Sequence, residues 1–374
     1  MTRIFLAAGE HSGDIHGANL IRALRAIEPG IACEGLGGLL MEAAGMSLRH
    51  DLAGEAIMGF SEVLKRIVPL RRLLLDTAEY VRSSRPDALV LIDYPGFNIR
   101  LAQEAHAAGV KVIYYVSPQV WAWKKNRIHT LARCVDKMLV ILPFEEKLYR
   151  DIGVDCTYVG HPLLDQVGGH VPAAPVQDEF VIGLLPGSRE QEIARLMGAM
   201  LATAEGIRAC YPHARFVTPC VNEVRAAQVR ALAGAFPLEV RVGGMHDTLS
   251  RARFCLVASG TATLETALFD VPMIIVYKVG LINYWLARWL VRGITHIGIV
   301  NILMGRGIVP EFIQQDADAE KILPKALELI GETPGRAAML EDFAALRALL
   351  GGKGASERAA REILACATRG GHER

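Results

Sequence analysis

The 374-residue sequence predicts an α/β protein built from two Rossmann-like parallel-sheet domains. Three observations carry that prediction. Short apolar runs ending in small-residue turns alternate with helix-length segments along most of the chain. The alternation occurs twice, once on each side of Gln166–Glu179 (QVGGHVPAAPVQDE), a stretch rich in Gly, Pro and Ala that reads as a linker. Hydrophobic residues make up 51% and charged residues 22%, which suits large buried cores and excludes intrinsic disorder. The domains predicted are therefore 1–165, a linker at 166–179, and 180–350.

Composition removes several functional classes. The formal net charge is +1, and with no nucleic-acid-binding motif no nucleic-acid partner is expected. The seven cysteines are scattered, odd in number and never spaced C-x-x-C, which argues for a reducing compartment and against a zinc site or a disulfide framework. The N-terminus enters a strand at once, with no signal peptide, and no apolar run reaches the ~18 residues a membrane span needs. A cytosolic protein is expected, with contact to a membrane surface left open.

In the first half, Arg3–Ala8 reads as a strand, Gly9–Asp14 as a loop and Ile15–Ile27 as a helix. The loop lacks G-x-G-x-x-G and no acidic residue ends a clear second strand, so a nicotinamide site is not expected. Glu10 and Asp14 fall at the carboxyl edge of the sheet, where such folds bind ligands, although Asp14 is equally a first-turn helix charge. Cys33–Gly38 gives a short strand or turn. Asp87–Asp93 (DALVLID) is an apolar strand ending in a carboxylate, with Tyr94–Asn98 as its turn and a helix to about Ala108. Strands at Lys111–Val116, Lys137–Leu142 and Thr157–Val159 follow.

The second half opens on Phe180–Leu196 (FVIGLLPGSREQEIARL): strand, Pro-Gly-Ser turn, and a helix opening near Arg189. Ser188 is the expected N-cap, with Gln191 three residues on as in a capping box. Free N–H groups at a helix N-terminus, with the Arg189 fork beside them, suit a phosphate-bearing ligand; the plainer reading is an ordinary βα turn with a solvated arginine. Strands at Ala214–Pro219, Leu238–Val242, Phe254–Ala258 and Pro272–Tyr277 follow, the last of these being the final clear strand. The turn after Ala258, Ser259-Gly260-Thr261, repeats the phosphate-cradle pattern, and Glu265 lies one turn into the next helix. Ala319–Ile330, Gly335–Leu350 and Ser356–Ala367 are helical.

Met58–Leu75 (MGFSEVLKRIVPLRRLLL) mixes large apolar residues with Lys65, Arg66, Arg71 and Arg72, and Pro69 divides it into two short helices or a helix and a lid. Such a stretch suits an anionic membrane surface or an acyl-chain pocket, against the plainer reading of a core-facing helix with a basic outer face. All four tryptophans, at 121, 123, 285 and 289, lie beside Lys or Arg, a pairing favoured at lipid headgroups. Leu64, Arg66, Arg72, Leu73, Leu74, Trp285 and Trp289 are the expected membrane or acyl contacts.

Read together, GEHSGDIHGANLIRAL, IDYPGFN, YYVSPQVWAWK, LPFE, VGHPL, LLPGSR and ASGTATLE resemble, in this order, the loops of the lipid-A-disaccharide synthase family. The resemblance runs from Ile4 to about Ile313; His11 departs from it, where the family more often has a small residue. It implies the GT-B architecture, two Rossmann-like domains facing across a cleft, with the acceptor in the first domain, the nucleotide in the second, and helices in 351–374 rejoining the first. It implies transfer from UDP-2,3-diacylglucosamine to 2,3-diacylglucosamine 1-phosphate (lipid X), giving a β-1,6-linked disaccharide and UDP at the inner face of the inner membrane. A homodimer is left open. Asp93 is the candidate general base, with a helix-capping or turn-bonding role as the alternative, and Glu10 stands in reserve. Arg189 with the Ser259–Thr261 turn would stabilise the leaving diphosphate, so no metal or other cofactor is expected. The matched loops supply Ser12, Asp14, Asn98, Gly187, Ser188, Ser259, Gly260 and Thr261 as candidate substrate contacts. By resemblance Glu265 holds the ribose and Asn301 lies near the nucleotide. The competing readings are a UDP-N-acetylglucosamine epimerase, a lipid-linked glucosaminyltransferase, or a non-catalytic nucleotide-sugar sensor.

Overall fold

The computed structural model describes residues 1–56, 63–120, 127–167, 180–280 and 296–368, apart from the side chains of 56 and 63–67. The chain divides into two compact units, Met1–Asp165 with Leu350–Arg374, and Gln166–Leu349.

The first unit is a seven-stranded sheet. Its strands are β1 (Arg3–Ala8), β2 (Ala32–Gly37), β3 (Ser47–Asp51), β4 (Ala88–Ile92), β5 (Val112–Tyr115), β6 (Lys137–Val140) and β7 (Cys156–Tyr158). The order is β3-β2-β1-β4-β5-β6-β7, and every pair is parallel. A parallel sheet is covered on both faces, so its central strands are apolar throughout rather than alternating. Phe5, Ala7, Leu89, Leu91, Val112 and Tyr114 pack into one core, and Ile4, Leu6, Val90, Ile92, Ile113 and Tyr115 into the other. The second core also takes Ala359, Ala360 and Ile363 of the helix Ala355–Thr368. Asp165 caps the start of that helix, accepting from the N–H groups of Gly354 (2.6 Å) and Ser356 (3.1 Å), and the Arg358 Nε donates to the Val159 carbonyl at 2.8 Å.

Pro69 does not divide its segment: Val63–Ser84 is one helix with the proline inside it. An interior proline costs about 3 kcal/mol. Leu74 and Val81 are buried against the first core and Leu70, Leu73 and Ala78 partly so. At about 1.5–3 kcal/mol for each large side chain fully buried, that face outweighs the lost hydrogen bond.

The second unit is a six-stranded sheet of β8 (Val181–Leu185), β9 (Arg215–Cys220), β10 (Leu238–Val242), β11 (Ala252–Ala258), β12 (Met273–Tyr277) and β13 (Glu311–Ile313). Its order is β10-β9-β8-β11-β12-β13, again all parallel. Pro272–Tyr277 is thus not the last strand. Both sheets follow the doubly wound order, which reverses direction between β1 and β4 in one unit and between β8 and β11 in the other. Open α/β sheets bind ligands at the carboxyl ends of the strands at such a reversal.

Candidate active site

In the first unit the sheet register aligns the two loops at the reversal. Ala8 pairs with Ile92, so the chain leaves β1 at Gly9 and β4 at Asp93 side by side. Asp93 (φ +47°) and Tyr94 (φ +48°) both occupy the left-handed region, at a cost of order 1–3 kcal/mol each. Hydrogen bonds to their backbone and a ring contact hold them there. The Asp93 N–H donates to the Tyr115 carbonyl at 3.2 Å. The Asp93 carbonyl accepts from the Tyr114 hydroxyl at 2.7 Å and the Asn98 Nδ2 at 2.8 Å. The Tyr94 carbonyl accepts from the Asn98 N–H at 3.0 Å, and the Tyr94 and Phe97 rings meet at 6.2 Å. The half-buried Asp93 carboxyl is pushed up to about 7, chiefly by burial and then by the charge of Glu10, with the Tyr94 backbone N–H pulling the other way.

Glu10 is half-buried and occupies the N-cap position of the helix His11–Ile27, which starts four residues before the expected Ile15; its side chain makes no capping bond. Ser12 is exposed in the first turn. Asp14 and Asn98, expected as substrate contacts, face inward. Asp14 is only 4% exposed, and its carboxylate accepts from the N–H groups of Gly38 (3.0 Å), Met41 (3.0 Å) and Leu40 (3.1 Å), capping the helix Leu39–Ala43. Asn98 is fully buried and its Nδ2 lies within reach of the carbonyls of Ala7, Ile92 and Asp93, tying β1 to β4 beneath the reversal. Both side chains are committed to backbone groups that burial would otherwise leave unpaired.

In the second unit Leu185 pairs with Val257, which brings the Pro186–Arg189 turn beside Ser259-Gly260. The helix is Glu190–Cys210, and its N-cap is Arg189 rather than Ser188. The reciprocal partner is Glu192 rather than Gln191: its Oε2 accepts from the Arg189 N–H at 3.2 Å, and its Oε1 lies 3.3 Å from the guanidinium. Gly187 has φ +103°, which favours glycine. Ser188 is exposed, and the Arg189 side chain is 76% exposed, so the fork is open to a ligand. The Ser259 Oγ donates to the Ile297 carbonyl at 3.0 Å, and Thr261 is exposed at the first position of the helix Thr261–Leu268. Glu265 is half-buried, makes no side-chain hydrogen bond among the described residues, and is pushed up to about 7 by burial.

Asn301 is likewise turned inward. It is fully buried, accepts from the N–H groups of Ile308 (2.8 Å) and Val309 (2.9 Å), and donates to Glu311 at 2.7 Å. Glu311 in turn accepts from the N–H groups of Ile297 and Gly298, each at 2.9 Å, so this pair braces the segment that Ser259 bonds. A cavity of about 550 Å³ in this unit is lined by Asn301, Glu311, Lys325, Met339 and Asp342 among others, but by neither Arg189 nor Glu265, and so is not the expected nucleotide site.

Of the expected membrane contacts, Leu74 is 8% exposed and belongs to the core, with Leu73 packed partly against it. Arg72 is exposed. The outward face of the helix is instead Val68 (76% exposed), Arg71, Arg72 and Leu75 (56% exposed), at i, i+3, i+4 and i+7. The side chains of Leu64 and Arg66, and Trp121, Trp123, Trp285 and Trp289, lie outside the described residues. Among the described residues no helix is long and apolar enough to cross a membrane, and no group of three or more His, Cys, Asp or Glu is arranged to hold a metal ion.

Three residues that shape the site escaped the sequence reading: Tyr114, Glu192 and Glu311. Glu192 had a usable signal, since it lies three residues after the N-cap once that cap is Arg189. Tyr114 and Glu311 act on backbone far from them in sequence, and no local pattern announces them.

Two Rossmann-like parallel sheets, one reversal carrying a pinned carboxylate and the other an arginine-led turn, define the class of two-domain nucleotide-sugar folds called GT-B. Solved structures share that fold over nearly the whole length. A Staphylococcus aureus MnaA–UDP structure has a TM-score of 0.69 at 14% identity, with 97% of this chain and 96% of that one covered. A Neisseria meningitidis UDP-GlcNAc 2-epimerase bound to UDP-GlcNAc has a TM-score of 0.68 at 12% identity, with 97% and 100% covered. At that identity the likeness speaks for the fold alone. The chain belongs to the lipid-A-disaccharide synthetase family, whose model matches residues 4–361. It is 41% identical over 367 residues to the lipid-A-disaccharide synthase of Syntrophus aciditrophicus (96% of each chain), and 38% identical over 357 residues to that of Nitrosococcus oceani (93% and 92%). The resemblance read from the loops is borne out, and the epimerase alternative is not favoured.

Proposed function

We propose that the protein is an inverting glycosyltransferase that joins UDP-2,3-diacylglucosamine to lipid X, forming the β-1,6-linked disaccharide 1-phosphate and releasing UDP. The observation that carries the assignment of roles is Asp93: a carboxylate on a pinned, left-handed backbone at the reversal of one sheet, held near neutrality. A base with that proton affinity is half-ionised near pH 7 and still strong enough to take a proton.

In this reading the acceptor's 6-hydroxyl attacks C1 of the donor sugar as the bond from C1 to the diphosphate oxygen breaks. Asp93 takes the hydroxyl proton, and the departing electron pair stays on UDP. The negative charge growing on the diphosphate is met by the exposed Arg189 fork, the helix N-terminus behind it and the Ser259–Thr261 turn. Glu265, which has no hydrogen-bond partner among the described residues, would accept hydrogen bonds from the ribose hydroxyls, and these favour its ionised form. Asp14, Asn98 and Asn301 act as braces behind the loops rather than as substrate contacts. Glu10 raises the proton affinity of Asp93 and is the alternative base.

The outward face Val68–Arg71–Arg72–Leu75 supports peripheral attachment to an anionic bilayer, the cytoplasmic face of the inner membrane, where both acylated substrates would reside. Incubation with UDP-2,3-diacylglucosamine and lipid X, followed by mass spectrometry, tests the reaction. Disaccharide 1-phosphate and UDP in equal amounts are expected; unchanged substrates, or epimerised UDP-sugar, would overturn the assignment.

A further inference from the structure

The two sheet reversals are alike in strand order and differ in what fills them. In the second unit the reversal is open. A Cβ added at Gly260 would meet nothing within 4 Å, and one at Gly187 would meet only the flexible Glu192 side chain. In the first unit the corresponding space is filled. A Cβ added at Gly9 would fall inside the van der Waals radius of three Tyr94 ring carbons, Cγ, Cδ1 and Cε1. The ring therefore sits against the Gly9 backbone, bridging the loop after β1 to the loop after β4. The Tyr94 backbone is held in the left-handed region, and the Phe97 ring lies 6.2 Å away, tilted by 32°. The ring is half-buried, and among the described residues its hydroxyl makes no hydrogen bond; burial, and then the charges of Glu10 and Glu55, raises its proton affinity.

We propose that Tyr94 is a specificity-determining residue of the first unit: its ring fills the crevice in which a nucleotide would otherwise sit, and its hydroxyl hydrogen-bonds the acceptor sugar. This rests on the reading that the first unit holds the acceptor. The chemistry is consistent on both counts. A Rossmann reversal takes a pyrophosphate only where backbone can approach it closely, and an aromatic ring stacked on the glycine removes that approach. The carboxylates of Glu10 and Glu55 near the ring can accept hydrogen bonds from sugar hydroxyls. A phenol on a rigid backbone offers an apolar face to a pyranose ring and a polar tip to one hydroxyl.

The test is a steady-state comparison of Tyr94→Phe, Tyr94→Ala, Gly9→Ala and the double variant Gly9→Ala/Tyr94→Ala, with donor and acceptor varied separately and folding checked by circular dichroism. Wild-type transfer is measured first; its absence would sink the assigned reaction itself rather than the role of Tyr94. Given transfer, Tyr94→Phe is expected to raise KM for the acceptor about 10-fold, the size of one lost hydrogen bond, while KM for the UDP-sugar and kcat stay within about 2-fold. Gly9→Ala is expected to raise acceptor KM by displacing the ring. The double variant should then be no worse than Tyr94→Ala, because no ring remains to collide with the new methyl. Acceptor KM unchanged in Tyr94→Phe, or Gly9→Ala and Tyr94→Ala adding independently, would overturn the proposal.

Discussion

Asp93 shows how one side chain acquires a role from its surroundings. Its backbone is held by Tyr114, Tyr115 and Asn98, its carboxyl is half-buried, and Glu10 adds a like charge, so its pKa rises to about 7. A raised carboxyl pKa means the folded state favours the proton. The ionised form costs stability, a cost that grows as pH climbs from the ordinary value of 3.8 to about 7 and is then constant. Asp93→Asn removes that cost. Its melting temperature is expected to equal the wild type's near pH 4 and to exceed it increasingly up to pH 7. The same shift sets the rate: kcat/KM is expected to rise about tenfold per pH unit below 7 and level off above it. A profile flat between pH 5 and 8 would remove Asp93 as the base. On the leaving-group side, Arg189→Ala is expected to lower kcat about 10²–10³-fold while changing UDP affinity less than tenfold, because the fork meets charge that develops in the transition state; calorimetric UDP titration beside the rate separates the two.

The helix Val63–Ser84 has a buried face and an exposed face, and the proposed membrane contact belongs to the second. Leu74→Ala removes a buried side chain and is expected to lower unfolding free energy by about 2–4 kcal/mol in denaturant titration, with vesicle binding unchanged. Val68→Ser with Leu75→Ser is expected to leave stability within about 1 kcal/mol and to weaken sedimentation with anionic vesicles; equal sedimentation would remove the membrane role from this face. The sequence announces the elements whose physics is local. The apolar runs ALVLI and VIGLL are buried central strands, and the small-residue turns that end them are the site loops. It is silent on β3 (SLRHD) and β13 (EFI), because a short polar edge strand takes its conformation from its neighbour. The direction of polar side chains is hidden for a similar reason. Asp14, Asn98 and Asn301 look like ligand contacts in a motif, yet each bonds groups that only the folded chain brings near: the Gly38 and Met41 N–H groups, the Ala7 carbonyl and the Glu311 carboxylate respectively. Pro69 misleads because a tertiary face overrides its local preference.

At the scale of the whole molecule, the same doubly wound topology occurs twice with its two reversals chemically divided. One carries Asp93 beside Glu10 with the Tyr94 ring against Gly9; the other carries the exposed Arg189 paired with Glu192 and an open Gly260. In the proposed reading, proton removal falls to Asp93 in the first unit and leaving-group stabilisation to Arg189 in the second. The most direct measurement is the rate of disaccharide formation by Asp93→Asn beside its affinity for UDP. The account predicts a fall in kcat of about 10²–10⁴-fold with UDP binding unchanged. Transfer at near wild-type rate by Asp93→Asn, or loss of UDP binding in step with loss of turnover, would contradict it.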